Sequence, residues 1–118
     1  MPFKIYAYEK CGTCRKALKF LDAQGIDYRA IPILERPPRK AELKMMLAIH
    51  NGAVRKLFNT SGREYKRLKL KEKLPGLTAS KAVELLARNG RLVRRPFLLA
   101  GARGVVGFNE AGWKDLLK

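Results

Sequence analysis

Histidine and cysteine are scarce in this chain: one histidine, His50, and two cysteines, Cys11 and Cys14, among 118 residues. A structural zinc site normally takes four such ligands, so a complete site within one chain is not expected. His50 follows the helix-like run LKMMLAI and reads as a helix-end or half-buried residue. Long apolar runs are missing as well; none approaches the ~20 residues that cross a bilayer, which excludes a membrane-spanning helix. The opening MPFKIYAYEK has neither the long apolar region nor the small-residue cleavage site of a secretory signal. A soluble, cytoplasmic protein without a membrane partner is expected. Stable disulfides are uncommon in that compartment, so a close cysteine pair suggests catalysis, redox sensing or metal binding over stapling.

Acidic residues are few. Against 10 Asp and Glu stand 26 Lys and Arg, a formal net charge of +16. Such an excess concentrates anions near the surface without naming one. The cations are spread over several segments, with no basic arm, zinc-finger spacing or aromatic RNA-binding motif, so direct specific nucleic-acid binding is not expected.

A hydrophobic content of 47% in a chain of this length suits one domain spanning residues 1–118, able to bury a core without staples. FKIYAY, residues 3–8, reads as a short buried strand. Over residues 13–24, Ala17, Leu18 and Leu21 share one helical face, and Gly25 closes that helix. IDYRAIPI, residues 26–33, reads as a second strand, stopped by Pro37 and Pro38. A right-handed crossover makes these two strands parallel. From Arg39 to Asn89 the pattern is helical, broken at HNG, NTSG and LPGLT, which places a helical insertion at about 38–90. RPFLLAGARGVVGF, residues 95–108, reads as a hairpin, and Asn109 caps a last helix closed by Lys118.

The order β-α-β, helices, β-β-α, with cysteines where the first strand turns into the first helix, is an α/β, thioredoxin-like arrangement with a small mixed sheet. A helix start offers free N–H groups and partial positive charge, which favour a thiolate over a thiol. Lys10, Arg15 and Lys16 act in the same direction. Cys11 is therefore the expected nucleophile, and Cys14, one turn on, the resolving thiol. Two unreactive core cysteines are the alternative.

The blocks YEKCGTCRKALKFLDAQGIDY, LFNTSGREYKRLKLKEKL and LLARNGRLVRRPFLLAGARGVVGFNE resemble the arsenate-reductase-like (ArsC) family, which also contains the Spx transcriptional regulators. The resemblance runs over nearly the whole chain and implies a thioredoxin-like fold with a helical insertion. It puts Cys11 on the catalytic cysteine, which in the reductases attacks arsenate and is freed by glutathione and glutaredoxin. Arg95 falls on one of three oxyanion-binding arginines, while Asn59 and Gly107 stand at the positions of the other two. Neither replacement supplies a charge for a tetrahedral oxyanion, which argues against arsenate itself as substrate. Arg63, Arg94 and Arg103 lie near the missing positions in sequence, and each alone reads as an exposed cation. Pro96 stands where thioredoxin-like folds place a cis-proline beside the cysteine. Gly12 and Thr13, together with Asn59, Arg95 and Pro96, complete the candidate substrate-binding set.

Two functions follow from the resemblance. One is a thiol-disulfide oxidoreductase acting on a small oxyanion or disulfide, with no bound cofactor and with glutathione, glutaredoxin or thioredoxin as electron donor. The other is an Spx-like redox-sensing regulator that binds RNA polymerase. The regulators carry an RS-type segment and a longer charged tail, where this chain has NTSGREYKRL and ends soon after Trp113. The expectation therefore leans to the reductase branch.

Overall fold

The computed structural model describes residues 3–117. Strand β1 (Phe3–Ala7) leads into helix α1 (Gly12–Ala23) and strand β2 (Tyr28–Pro32). Helices α2 (Lys40–Ile49), α3 (Arg63–Arg67), α4 (Leu70–Lys73) and α5 (Ala79–Arg88) follow, with short 3-10 turns at Val54–Leu57, Leu74–Gly76 and Gly90–Leu92. Strands β3 (Phe97–Ala100) and β4 (Arg103–Val106) form the hairpin, and α6 (Glu110–Leu116) closes the chain. Asn109 caps α6 by accepting from the Gly112 N–H at 2.8 Å. The stop assigned to Lys118 lies outside the described residues. Among the described residues no helix is long and apolar enough to cross a membrane.

The sheet order is β2-β1-β3-β4. Strands β1 and β2 run parallel, as the crossover through α1 requires, and the other pairings are antiparallel. This is the thioredoxin-like arrangement expected from the element order. Side chains alternate across the sheet and so divide the apolar residues between two cores. Ile5, Ala7 and Leu98 pack with Cys14, Ala17, Phe20 and Leu21 of α1 and Trp113 of α6. Tyr6, Phe97 and Leu99 face the other way, onto Leu43 and Met46 of α2 and Ala82, Val83 and Leu86 of α5. The molecule is three layers deep, with the four-stranded sheet in the middle.

Two local features fix the insertion against the sheet. The Glu42 carboxylate accepts from Lys4 Nζ and Tyr6 Oη, both at 2.6 Å, and from the Arg39 N–H at 2.9 Å. Burial would raise its pKa, but these hydrogen bonds outweigh that and hold it below the usual carboxylate value. The second feature is a close backbone approach at Gly90. A Cβ there would lie 2.0 Å from the Ile33 carbonyl oxygen, so the end of α5 fits against the chain after β2 only without a side chain. Gly90→Ala is expected to cost about 1–3 kcal/mol through the backbone shift it forces. A lower urea midpoint with an unchanged slope reports that cost.

Candidate active site around Cys11

Cys11 is the N-cap of α1, with extended backbone (φ −91°, ψ 117°). Its Sγ accepts from the Cys14 N–H at 3.4 Å, so the sulfur does the work that a serine or aspartate oxygen does at other helix starts. Gly12 and Thr13 form the exposed first turn beside it. Cys14 points inward and is 0% exposed, packed with Ala17 and Leu21, and its Sγ accepts from the Tyr8 N–H at 3.5 Å. Both cysteines are free thiols. One is half-buried and reachable; the other lies beneath it.

The two thiols are tuned in opposite directions. Burial pushes the Cys11 pKa up, but the Cys14 N–H, the Cys14 thiol, and the hydrogen bond and charge of Arg95 outweigh it, leaving Cys11 below the ordinary 9.0. Cys14 is pushed up to about 12, first by burial and then by the neighbouring Cys11 sulfur. Cys11 is therefore the more readily ionised of the pair, above a thiol that stays protonated at neutral pH. The cation that acts on Cys11 is Arg95, distant in sequence. Lys10, Arg15 and Lys16, which sequence proximity favours, are exposed to solvent, where charges act weakly.

Arg95 reaches the site from the loop before β3. Its guanidinium lies 5.3 Å from the Tyr8 ring centroid, a cation–π contact, and its buried Nη1 has no hydrogen-bond partner among the described residues. The Arg95–Pro96 peptide bond is cis. Arg95→Gln is expected to raise the Cys11 pKa and slow its alkylation at neutral pH. The rate at high pH, where the thiol is fully ionised, is expected to be retained; comparing the two limbs separates charge from structure.

The rest of the site comes from the insertion. An antiparallel bridge pairs Phe58 with Val93, flanked by hydrogen bonds from the Asn59 N–H to the Leu92 carbonyl (2.7 Å) and from the Arg94 N–H to the Leu57 carbonyl (2.8 Å). That pairing carries Asn59 and the start of α3 to Arg95. A cleft of about 220 Å³ results, lined by Tyr8, Asn59, Arg63, Glu64, Arg91 and Arg95, among others. Gly62 holds the N-cap position of α3.

Of the arginines near the missing positions, Arg63 shares the cleft with Arg95. Arg94 is exposed, and its Nε would lie 3.0 Å from a Cβ at residue 107. Gly107 has φ +75°, in the left-handed region, so an arginine there would be strained and would meet Arg94. Arg103 donates to the Asp115 carbonyl on α6 at 3.4 Å. Sequence reasoning passed over Arg91, Glu64 and Tyr8. The one local signal was Asn89, whose side chain accepts from the Arg91 N–H (3.1 Å) and donates to Glu64 Oε2 (2.9 Å).

A model of the ArsC family matches residues 6–116. The chain belongs to the ArsC family. The Bacillus subtilis protein YusI is 44% identical over 115 residues, covering 98% of each chain. The crystal structure of an ArsC family related protein from Bacteroides fragilis superposes with a TM-score of 0.92 at 40% identity, again over 98% of each chain. The global transcriptional regulator Spx of Streptococcus pyogenes serotype M1 is 26% identical over 106 residues, which are 90% of this chain and 78% of the regulator. A possible arsenate reductase from Streptococcus mutans UA159, 38% identical over 98% of each chain with a TM-score of 0.90, and the regulator Spx both stand among the similar proteins. The geometry at Cys11 bears on the choice between them.

Proposed function

We propose that this ArsC-family protein is a thiol-disulfide oxidoreductase in which Cys11 attacks and Cys14 resolves. One observation carries the reading: a half-buried sulfur caps a helix, its N–H partner belonging to a second, buried thiol residue one turn on, and the charge of Arg95 lowers its pKa. The Cys11 thiolate attacks one sulfur of a substrate disulfide, the S–S bond breaks, and one thiolate leaves. Cys14 gives up its proton and attacks the Cys11 sulfur, expelling the second substrate thiolate and forming the Cys11–Cys14 disulfide. Two electrons have then passed from the protein to the substrate. Two molecules of glutathione, or one glutaredoxin or thioredoxin dithiol, return them.

Arsenate fits less well, because Asn59 and Gly107 are uncharged where the resemblance calls for arginine. Cytoplasmic residence suits the chemistry, since a reduced dithiol is the resting form there. The reading is tested by incubating the reduced protein with bis(2-hydroxyethyl) disulfide and glutathione. Catalytic thiol release, together with oxidised protein whose mass shows one internal disulfide, is the expected result. Oxidation to intermolecular species alone removes Cys14 as the resolving group.

A second reading is supported by the Spx relatives and the net charge of +16: a redox switch on a surface that binds RNA polymerase. Capture of RNA polymerase that responds to the oxidation state of the cysteines, without turnover, favours that reading instead.

A further inference from the structure

Helix α3 serves two places. Arg63 and Glu64 line the cleft beside Arg95, whereas Tyr65 and Lys66 line a separate groove of about 400 Å³ with Arg55, Thr60, Lys69 and Lys71. A second groove of about 380 Å³ shares Arg55, Tyr65 and Lys71 with it and continues onto Val54, Leu74 and Pro75. The two are adjoining lobes of one depression, the first lined by cations and hydroxyls and the second largely by apolar side chains. Each has the room of an ordinary small-molecule site.

Four cations meet one carboxylate, that of Glu72, in these lobes. Arg55 comes from the 3-10 turn at Val54–Leu57, Lys66 from α3, Lys71 from α4, and Lys69 from the link between those helices. None of the four side chains has an ion-pair or hydrogen-bond partner among the described residues. Like charges brought together from separate segments repel, and an anion seated among them relieves that repulsion. Lys69 is also held at φ +53°, a left-handed backbone that suits glycine and strains a lysine.

Tyr65 is the independent sign of a ligand. It is 4% exposed and its ring lies 6.1 Å from that of Phe58, yet its hydroxyl has no partner among the described residues and is not sealed from solvent. A buried tyrosine ordinarily bonds its O–H. Here the unused donor belongs to the side chain that lines both lobes. With the Thr60 hydroxyl beside the cations, the lining is rich in donors and suits a ligand made mostly of acceptor oxygens, as phosphoryl groups are. Phosphate alone leaves the second lobe unexplained. An organic group beyond the phosphoryl chain covers Val54, Leu74 and Pro75, and removing that surface from water favours binding.

We propose that this depression binds a nucleoside polyphosphate, its phosphoryl oxygens among Arg55, Lys66, Lys69 and the Tyr65 hydroxyl, and its base against Leu74 and Pro75. The site makes no use of Cys11, so it stands apart from the oxidoreductase reading.

Calorimetric titration of the reduced full chain with ADP, at ~150 mM salt so that diffuse surface attraction is screened, tests it. Saturable binding of one ADP per chain is the expected result, with adenosine and inorganic pyrophosphate each weaker by about tenfold or more because each engages one lobe. Tyr65→Phe keeps the ring against Phe58 and loses the donor, and is expected to weaken ADP binding by about threefold to tenfold. Lys69→Gly removes a charge but suits the left-handed backbone, so affinity is expected to fall about tenfold while the urea midpoint holds or rises. Lys19→Ala, exposed on α1 and outside both lobes, is expected to leave affinity unchanged. Cys11→Ser is expected to bind ADP as the native chain does. Absence of saturable ADP binding overturns the proposal, as does binding that Lys19→Ala weakens as much as Lys69→Gly, which is net charge alone. Pyrophosphate binding as tightly as ADP overturns the nucleoside. A short DNA duplex that binds more tightly than ADP, and is weakened by the same variants, gives the surface to nucleic acid and overturns the small-molecule site.

Discussion

Replacing Cys11 by serine is expected to lower disulfide reductase turnover at least about a thousandfold, because the nucleophile itself is removed and a serine hydroxyl is not ionised at neutral pH. Cys14→Ser is expected to behave differently. Cys11 still caps α1 and still feels the charge of Arg95, so the first attack proceeds, but no second sulfur lies beneath to expel the substrate half. One equivalent of mixed disulfide on Cys11 accumulates, and mass spectrometry of the intact protein detects it. Excess glutathione releases it. Equal loss in both variants, with no trapped adduct, contradicts the division of labour between the two thiols.

Trp113→Ala carries the largest expected cost in stability, about 3–5 kcal/mol, which is a large share of the total for a domain of this size. Trp113 is 0% exposed and stands edge-on to Phe108 and Phe20, with ring centroids at 4.9 and 6.3 Å. Its Nε1–H donates to the Gly107 carbonyl at 3.0 Å, and the Gly107 N–H donates to the Pro96 carbonyl at 2.9 Å. The indole thus ties α6 to the loop that carries Arg95. Trp113→Phe keeps most of the packing and loses the donor, so its cost is expected to be smaller, about 1–3 kcal/mol. Urea unfolding of both variants separates the cavity from the unpaired carbonyl.

The frame was legible where local patterns carry it. FKIYAY, the Ala17 and Leu21 spacing, and the Asn109 cap each depend on neighbours a few residues away, and β1, α1 and α6 formed as those patterns require. Phe20 joins the buried face of α1, a position the narrow stripe of Ala17, Leu18 and Leu21 left out. The start of β2 was less legible: pairing begins at Tyr28, opposite Phe3, because Ile26 returns its N–H to the Leu21 carbonyl to finish the α1 turn.

The site divides in the same way. Cys11 at the helix mouth is a local fact, and its spacing to Cys14 is visible in the sequence. The charge that acts on it is not. Lys10, Arg15 and Lys16 are adjacent in sequence yet exposed, while Arg95 arrives from the far side of the insertion. Arg91 and Glu64 enter the cleft only because Phe58 pairs with Val93, a contact between segments with no strand-like pattern. The Lys4–Glu42–Tyr6 cluster is likewise hidden, since it joins positions 36 and 38 residues apart.

The account's central claim is that α1 and Arg95 favour the thiolate at Cys11 while burial keeps Cys14 protonated. The rate of alkylation by iodoacetamide, followed residue by residue across pH, tests it most directly. Because only the thiolate reacts, the rate should rise through the folded pKa of each group. Cys11 is expected to half-titrate below 9.0 and below a free cysteine in the same assay, with Cys14 unlabelled throughout. A Cys11 that titrates with or above the free thiol, or a Cys14 that labels alongside it, contradicts the claim.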